Sequence, residues 1–317
     1  MCKKILPLTI PICKLLECDY YTKQKLGLLN INCKYINKDT YLKETHLFYL
    51  LQYFIIYNQC KIKYFCIPKF KTLFHFFKQK PFLSDLIPDN HIDFHAHLLP
   101  GIDDGSSTME ETVNLIIGLQ EIGIKKLITT PHVMGEIWKN SKTLILETEN
   151  KVIDQLEKLT IKFPIKAAAE YMMDLEFLEL FKNEKLLTLK ENYVLVEMSY
   201  LSPPIQLFDI IFELQVAGYQ PVLAHPERYN FYHHSLKNYK KLKQAGCLFQ
   251  MNMLSATGYY GDRVAKAADI LLKEQLIDFV GSDLHHTRHL EALHKKIILK
   301  NCNYLYPIFQ NNSIFDF

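Results

Sequence analysis

From residue 91 onward, short apolar runs alternate with stretches of helical pattern. The runs HIDFHA (91–96), KKLITT (125–130), IKAAAE (165–170), YVLVEM (193–198), QPVLAH (220–225), CLFQMN (247–252) and IDFVGS (277–282) read as strands. They are too apolar to have one wet face, as expected of parallel strands covered on both sides. Helices are predicted at about 109–122, 144–160, 174–183, 204–217, 235–245, 262–275 and 288–299. The first carries a start signal in SSTMEE, where Ser or Thr precedes Glu110 and Glu111. Seven strand-then-helix units in a row predict an α/β barrel of the TIM type, one unit short.

Residues 1 to about 70 do not share this pattern. They hold one glycine, Gly27, and are rich in Lys, Ile, Asn, Tyr and Cys without a convincing period. We read residues 1–73 as an extension outside the catalytic fold, disordered or translated from an upstream start, in preference to a membrane- or partner-binding arm. Residues 74–300 form the expected domain and 301–317 a C-terminal tail. Six of the eight cysteines lie in the first 66 residues with no CxxC pair, so neither a zinc site nor a disulfide framework is predicted. Cys247 and Cys302 read as packing residues, and a reducing cytoplasm fits best. The most apolar segment, HLFYLLQYFIIY (46–57), is too short for a transmembrane helix. The opening MCKKILPLTIPICKLL lacks the cleavage site of a signal peptide.

Charge narrows the function. The net +3 conceals an asymmetry: residues 1–90 hold fourteen Lys against six acids, or +8, which leaves −5 for residues 91–317. An acidic domain does not favour a nucleic-acid partner.

The strand ends carry the candidate chemistry. Alternation along HIDFHAH puts His95 and His97 on one strand face, a pair suited to a divalent metal. Asp104 follows in GIDDG, where glycines permit tight turns. Later strands end in Pro131-His132, Glu170-Tyr171, His225-Pro226-Glu227-Arg228 and Asp283-Leu284-His285. Each cluster alone is a weak signal, because a polar residue at a strand end is ordinary. All of them fall at carboxyl ends, where parallel barrels build their active sites. So many groups exceed what one ion needs, and two or three cations are predicted; the nitrogen and oxygen mix favours Mn, Fe or Zn over Ca or Mg alone. The chain uses 34 Lys but only three Arg: Arg228, Arg263 and Arg288. A planar guanidinium binds two phosphate oxygens at once, so Arg228, three residues past His225, reads as a phosphate clamp. Arg263 and Arg288 read equally well as phosphate-binding or as surface residues.

Together DFHAHLLPGIDDG, TPH, AAEY, LAHPERY and GSDLHH resemble the PHP (polymerase and histidinol phosphatase) superfamily. The nearer likeness is to its bacterial tyrosine-phosphatase branch, associated with capsule and exopolysaccharide gene clusters. The resemblance spans residues 74 to about 300 and implies a distorted (β/α)7 barrel with a trinuclear metal site. By position it implies one metal on His95, His97, Glu170 and Asp283. A second would share Glu170 and take His225, and a third would take Asp104, His132 and His285. Asp93 is implied as an orienter of the ligand histidines, and Asp103 as structural. The implied activity is hydrolysis of phosphotyrosine on a protein, the partner being a bacterial tyrosine kinase that controls polysaccharide export. Manganese is the first choice of metal, and homo-oligomerisation stays open. Neither Cys247 nor Cys302 sits in a CxxxxxR phosphate loop, so no cysteine nucleophile is expected. The alternative is a PHP-type phosphatase of a small monoester such as histidinol phosphate. A nuclease and a non-catalytic phosphotyrosine-binding barrel rank below it.

Overall fold

The structure, a computed structural model, describes residues 80–317 apart from Glu136. The chain divides at Lys78/Gln79, and the unit Gln79–Phe317 holds the described fold. The expectations for residues 1–73 lie outside the described residues.

Nine strand segments make seven strand positions. β1 (His91–Asp93), β2 (Ile124–Thr129) and β4 (Ile165–Ala167) form one parallel sheet. β3 (His132–Val133), β5 (Glu170–Met172), β6 (Tyr193–Glu197), β7 (Gln220–Ala224), β8 (Leu248–Asn252) and β9 (Phe279–Gly281) form the other. β3 carries the line of β2 on beyond the predicted end at 130, after a break at Thr130-Pro131, and β5 carries that of β4 from the predicted end at 170 to Met172. Proline has no N–H to donate, so the ladder lapses where Pro131 stands. It resumes one step on, where the Glu170 amide bonds the Pro131 carbonyl at 3.1 Å. A parallel bridge between Ala96 and Leu284 closes the ring, with Asp283 N–H donating to His95 O (2.7 Å) and His97 N–H to Leu284 O (2.9 Å). The barrel is therefore seven-stranded and distorted, and its irregular places are the segments that carry the candidate ligands.

The helices follow the strands as expected: α1 (Met109–Glu121), α2 (Lys142–Lys158), α3 (Leu175–Asn183), α4 (Leu207–Val216), α5 (Leu236–Gln244), α6 (Asp262–Lys273) and α7 (Thr287–Leu293). At the start of α1, Thr108 Oγ1 accepts from the Glu111 amide (3.2 Å), while Glu111 reaches back to the Ser107 amide (3.0 Å). α7 stops at Leu293, short of the predicted 299. Residues beyond it bond instead to the segment before β1, through Leu83 N–H to Lys295 O and Ile297 N–H to Pro81 O, each 3.0 Å. Tertiary backbone pairing competes there with helix continuation.

Two apolar layers hold the barrel. Outward strand residues such as Val194, Val196, Leu223, Phe249 and Val280 pack against the helices. Inward residues Ile128, Leu195, Val222 and Phe279 join Ile92 and Phe94 in a second, smaller cluster. The chain end closes that cluster from below. α8 (Leu305–Asn311) and the turn after it bring fully buried Phe315 to 4.4 Å from Phe94 and 5.0 Å from Phe279, centroid to centroid. Residues 301–317, read from the sequence as a tail, thus form a folded plug; with no strand of their own, they gave no periodic signal.

Candidate metal centre

Above the plug the barrel interior changes from hydrocarbon to imidazole and carboxylate. Glu170 opens β5, and both of its oxygens are buried with no hydrogen-bond partner among the described residues. Four imidazole nitrogens surround them: His95 Nε2 and His97 Nε2 at 3.3 Å, His132 Nδ1 at 3.2 Å and His225 Nε2 at 3.1 Å. Asp283 Oδ1 lies 3.4 Å from the same nitrogens of His95 and His97. Asp104 Oδ1 lies 3.4 Å from His132 and 3.5 Å from His285. A buried carboxylate left without a donor is costly unless something positive sits among the lone pairs. Lone pairs converging on shared points, without hydrogen-bond alignment, fit cations. Among the described residues four groups of ligand atoms have compatible spacing: His97–Asp104–His132–His285, His95–Glu170–His225, His95–His97–Asp283 and His132–Glu170–Glu197. The first three overlap the expected sets without coinciding with them, and the fourth includes Glu197, which the sequence reading left out.

Local backbone explains why these side chains reach the mouth. His225 (φ +36°) and Asp283 (φ +52°) sit in the left-handed region, rare for non-glycine residues, just past the ends of β7 and β9. Such a twist turns each side chain inward where a regular strand would continue its alternation. Gly281 makes room: a Cβ there would lie 2.6 Å from His95 Cβ.

Fixed partners orient the rings. His95 Nδ1 pairs with Gln250 Oε1 at 2.7 Å, His97 Nδ1 with Asp103 Oδ2 at 2.8 Å, and His285 Nδ1 with the Asp283 carbonyl at 2.9 Å. Each contact aims the other ring nitrogen at the centre. Asp93 does not orient the rings as the resemblance implied. The first strand shifts register between His91 and Ile92, and the Asp93 carboxylate accepts from the backbone amides of Ser282 (3.0 Å) and His95 (3.3 Å), tying the last strand to the first. Asp103 takes the orienting part for His97 and also accepts from the amides of Gly105 (2.9 Å) and His132 (3.1 Å).

Arg228 lines the cavity and donates to Asp283 Oδ2 at 2.8 Å, its guanidinium 4.7 Å from the Tyr200 ring centre and 4.3 Å from that of Tyr260. Arg263 and Arg288 stand elsewhere: both are exposed first-turn residues, of α6 and α7, and neither lines the cavity. Those two positions therefore do not carry over as phosphate contacts.

Charge in the cluster is strongly coupled. Burial opposes it, yet Asp103 holds His97 well above its ordinary pKa, and His95 and His132 drive Glu170 well below the carboxylate range. Burial, then the nearby Glu170, pushes Glu197 up to about 7. Glu197, the last residue of β6, has Oε1 2.8 Å from His132 Nδ1 and was missed in the sequence. Its place at the end of YVLVE matched the rule that selected Glu170, which likewise has no neighbouring histidine, so the strand-end rule alone could have found it.

Comparison with known proteins agrees with this geometry. Residues 91–303 match the family described as capsular polysaccharide synthesis, CpsB/CapC. The chain is 28% identical over 198 residues to the tyrosine-protein phosphatase YwqE of Bacillus subtilis (strain 168), covering 62% of this chain and 78% of that protein. It is 27% identical over 197 residues to the putative tyrosine-protein phosphatase CapC of Staphylococcus aureus, covering 61% and 76%. A crystal structure from the work on YwqE of Bacillus subtilis and CpsB of Streptococcus pneumoniae, described as unique metal-dependent tyrosine phosphatases, matches with a TM-score of 0.62 at 26% identity. That match covers 71% of this chain and 93% of the other. Ring closure, ligand-type side chains at the strand ends and the span of the match lead to one conclusion: the chain belongs to the CpsB/CapC family of capsular polysaccharide synthesis.

Proposed function

We propose that this protein is a metal-dependent tyrosine phosphatase that hydrolyses phosphotyrosine on a protein substrate. The observation that carries the reading is Glu170: two buried oxygens without a hydrogen bond, ringed by four imidazole nitrogens at 3.1–3.3 Å. His95, His97, Glu170 and Asp283 would hold one cation, Glu170 and His225 a second, and Asp104, His132 and His285 a third. Divalent cations bound there supply an activated water at neutral pH and neutralise phosphoryl charge. The nitrogen and oxygen donors suit manganese, with iron or zinc next.

The chain's own residues do the rest. Gln250 and Asp103 keep the His95 and His97 rings aimed. Arg228 spends one contact on Asp283, and its remaining donors face phosphoryl oxygens, with Tyr200 and Tyr260 holding the guanidinium plane. Cys247 is buried and burial pushes its thiol up to about 12, the reverse of an activated nucleophile. The family description supports a role in capsule or exopolysaccharide synthesis, and the substrate of that role is the phosphorylated tyrosine kinase of the system. The reaction belongs in the cytoplasm beside such a kinase; no helix among the described residues is long and apolar enough to cross a membrane.

Metal content measured on protein purified without chelators, together with phosphate release from a phosphotyrosine peptide, tests the proposal. Two to three cations per chain and release abolished reversibly by chelation are expected. Full activity after exhaustive metal removal ends the reading. Arg228→Ala is expected to lower turnover strongly while metal content holds, and an unchanged rate removes Arg228 from the mechanism.

A further inference from the structure

The cavity over the strand ends, about 510 Å³, has two chemically different walls. Arg228 and Asp283, from the segments following β7 and β9, supply charge. Met134 and Trp138 after β3, Met172 at the end of β5 and Leu201 after β6 supply hydrocarbon, sulfur and an indole. Those three strands are neighbours in the sheet, so their loops rise side by side.

Trp138 is held rather than merely present. It closes a tight hairpin with Met134, the two exchanging backbone hydrogen bonds of 3.0 and 2.9 Å. Asn140 ties the exit of that hairpin to the carbonyls of Ile102 (2.9 Å) and His132 (2.8 Å). The backbone that carries the indole is thereby tied to both the GIDDG loop and a histidine of the cluster. An indole beside thioethers is a surface for another aromatic ring: rings stack offset or edge-on, and sulfur lies favourably at a ring edge.

We infer that Trp138, flanked by Met134 and Met172, is a specificity-determining platform that holds the aryl ring of an aryl phosphate while the phosphoryl group lies toward Arg228 and the histidine cluster. The inference rests on the phosphatase reading for the placement of the phosphoryl end. It adds the reason why the ester group would be an arene instead of a small polar alcohol.

Trp138 is the chain's only tryptophan, so its emission reports this position alone. Manganese-loaded protein is titrated with phenylphosphonate and with methylphosphonate, following both tryptophan fluorescence and calorimetric binding. A saturable change in emission with phenylphosphonate alone is expected. Trp138→Leu is expected to weaken phenylphosphonate about ten-fold and to leave methylphosphonate within about two-fold. Equal weakening of both ligands would mark a structural role and overturn the platform, as would unchanged phenylphosphonate affinity or no phenylphosphonate binding to the wild type. Should the variant fail to fold, the wild-type fluorescence contrast decides. The phosphatase reading fails differently: no phosphate is released from a phosphotyrosine peptide although phenylphosphonate still perturbs Trp138. Hydrolysis without any preference for aryl over alkyl monoesters sinks the platform and leaves the reaction standing.

Discussion

The two ends of the barrel interior are built from the same strands and obey opposite rules. At the lower end Ile92, Phe94, Leu195, Val222 and Phe279 meet the Phe315 plug, and burial itself is the stabilising term. At the upper end Glu170, Asp283, His95, His97 and His225 are just as buried, yet their burial costs free energy until charges pair or cations enter. Along single strands the change takes two residues, as from Leu195 to Glu197 on β6 and from Ala168 to Glu170 at β5. One end therefore supplies the stability that the other spends on function, and substitutions at the two ends are expected to separate those properties.

The largest effect is expected from Glu170→Gln. Activity against a phosphotyrosine peptide falls to background and metal content drops, because the carboxylate ringed by four imidazole nitrogens is gone. Wild-type activity with full metal content would take Glu170 out of the centre and break the contrast. Phe315→Ala reverses the pattern: about 3–5 kcal/mol of stability is lost with turnover retained in the folded fraction. A proportionate fall in kcat at a temperature where the variant is folded would instead couple plug and site. Gln250→Ala sits between the two regions. Loss of the contact that aims His95 is expected to lower metal affinity or activity by about 10–100-fold, seen in a metal titration.

A further prediction sharpens the contrast through pH. His91, at the lower end beside Phe309 and Asn312, is kept neutral by burial, its pKa lowered from 6.5 to about 3. The unfolded chain takes up a proton below about pH 6.5 and the folded chain does not until about pH 3, so the stability held by His91 is full above that window and falls as pH drops through it. The slope is up to roughly 1.4 kcal/mol per pH unit. Denaturation measured from pH 7 to pH 4 is expected to be less pH-dependent in His91→Gln by that amount. An identical slope would show that His91 is already charged in the folded state.

Much of this was legible along the chain because its physics is local. Parallel strands buried on both faces must read as apolar runs, and seven of them with intervening helices admit few architectures. Ligand-type residues stood out because each lies at one strand end, and Thr108 with Glu111 marked a helix start through a bond spanning three residues. Arg228 was distinguishable by rarity in a lysine-rich chain.

What the linear pattern did not decide depends on contacts between distant residues. The resemblance gave the orienting part to Asp93, whereas Asp103 aims His97, which hinges on how the GIDDG loop folds over the strand. The linear pattern gave no sign that Glu197 meets His132, that Arg263 and Arg288 face solvent, or that the last residues plug the barrel. Composition and periodicity determined which elements form and which chemistry they carry. Only ring closure, with left-handed turns at His225 and Asp283 and a cleared space at Gly281, decided which of those groups share one centre. The reason is geometric: periodicity sets which face a side chain takes, but the distance between two side chains on different strands is set by register and curvature, which exist only in the assembled barrel.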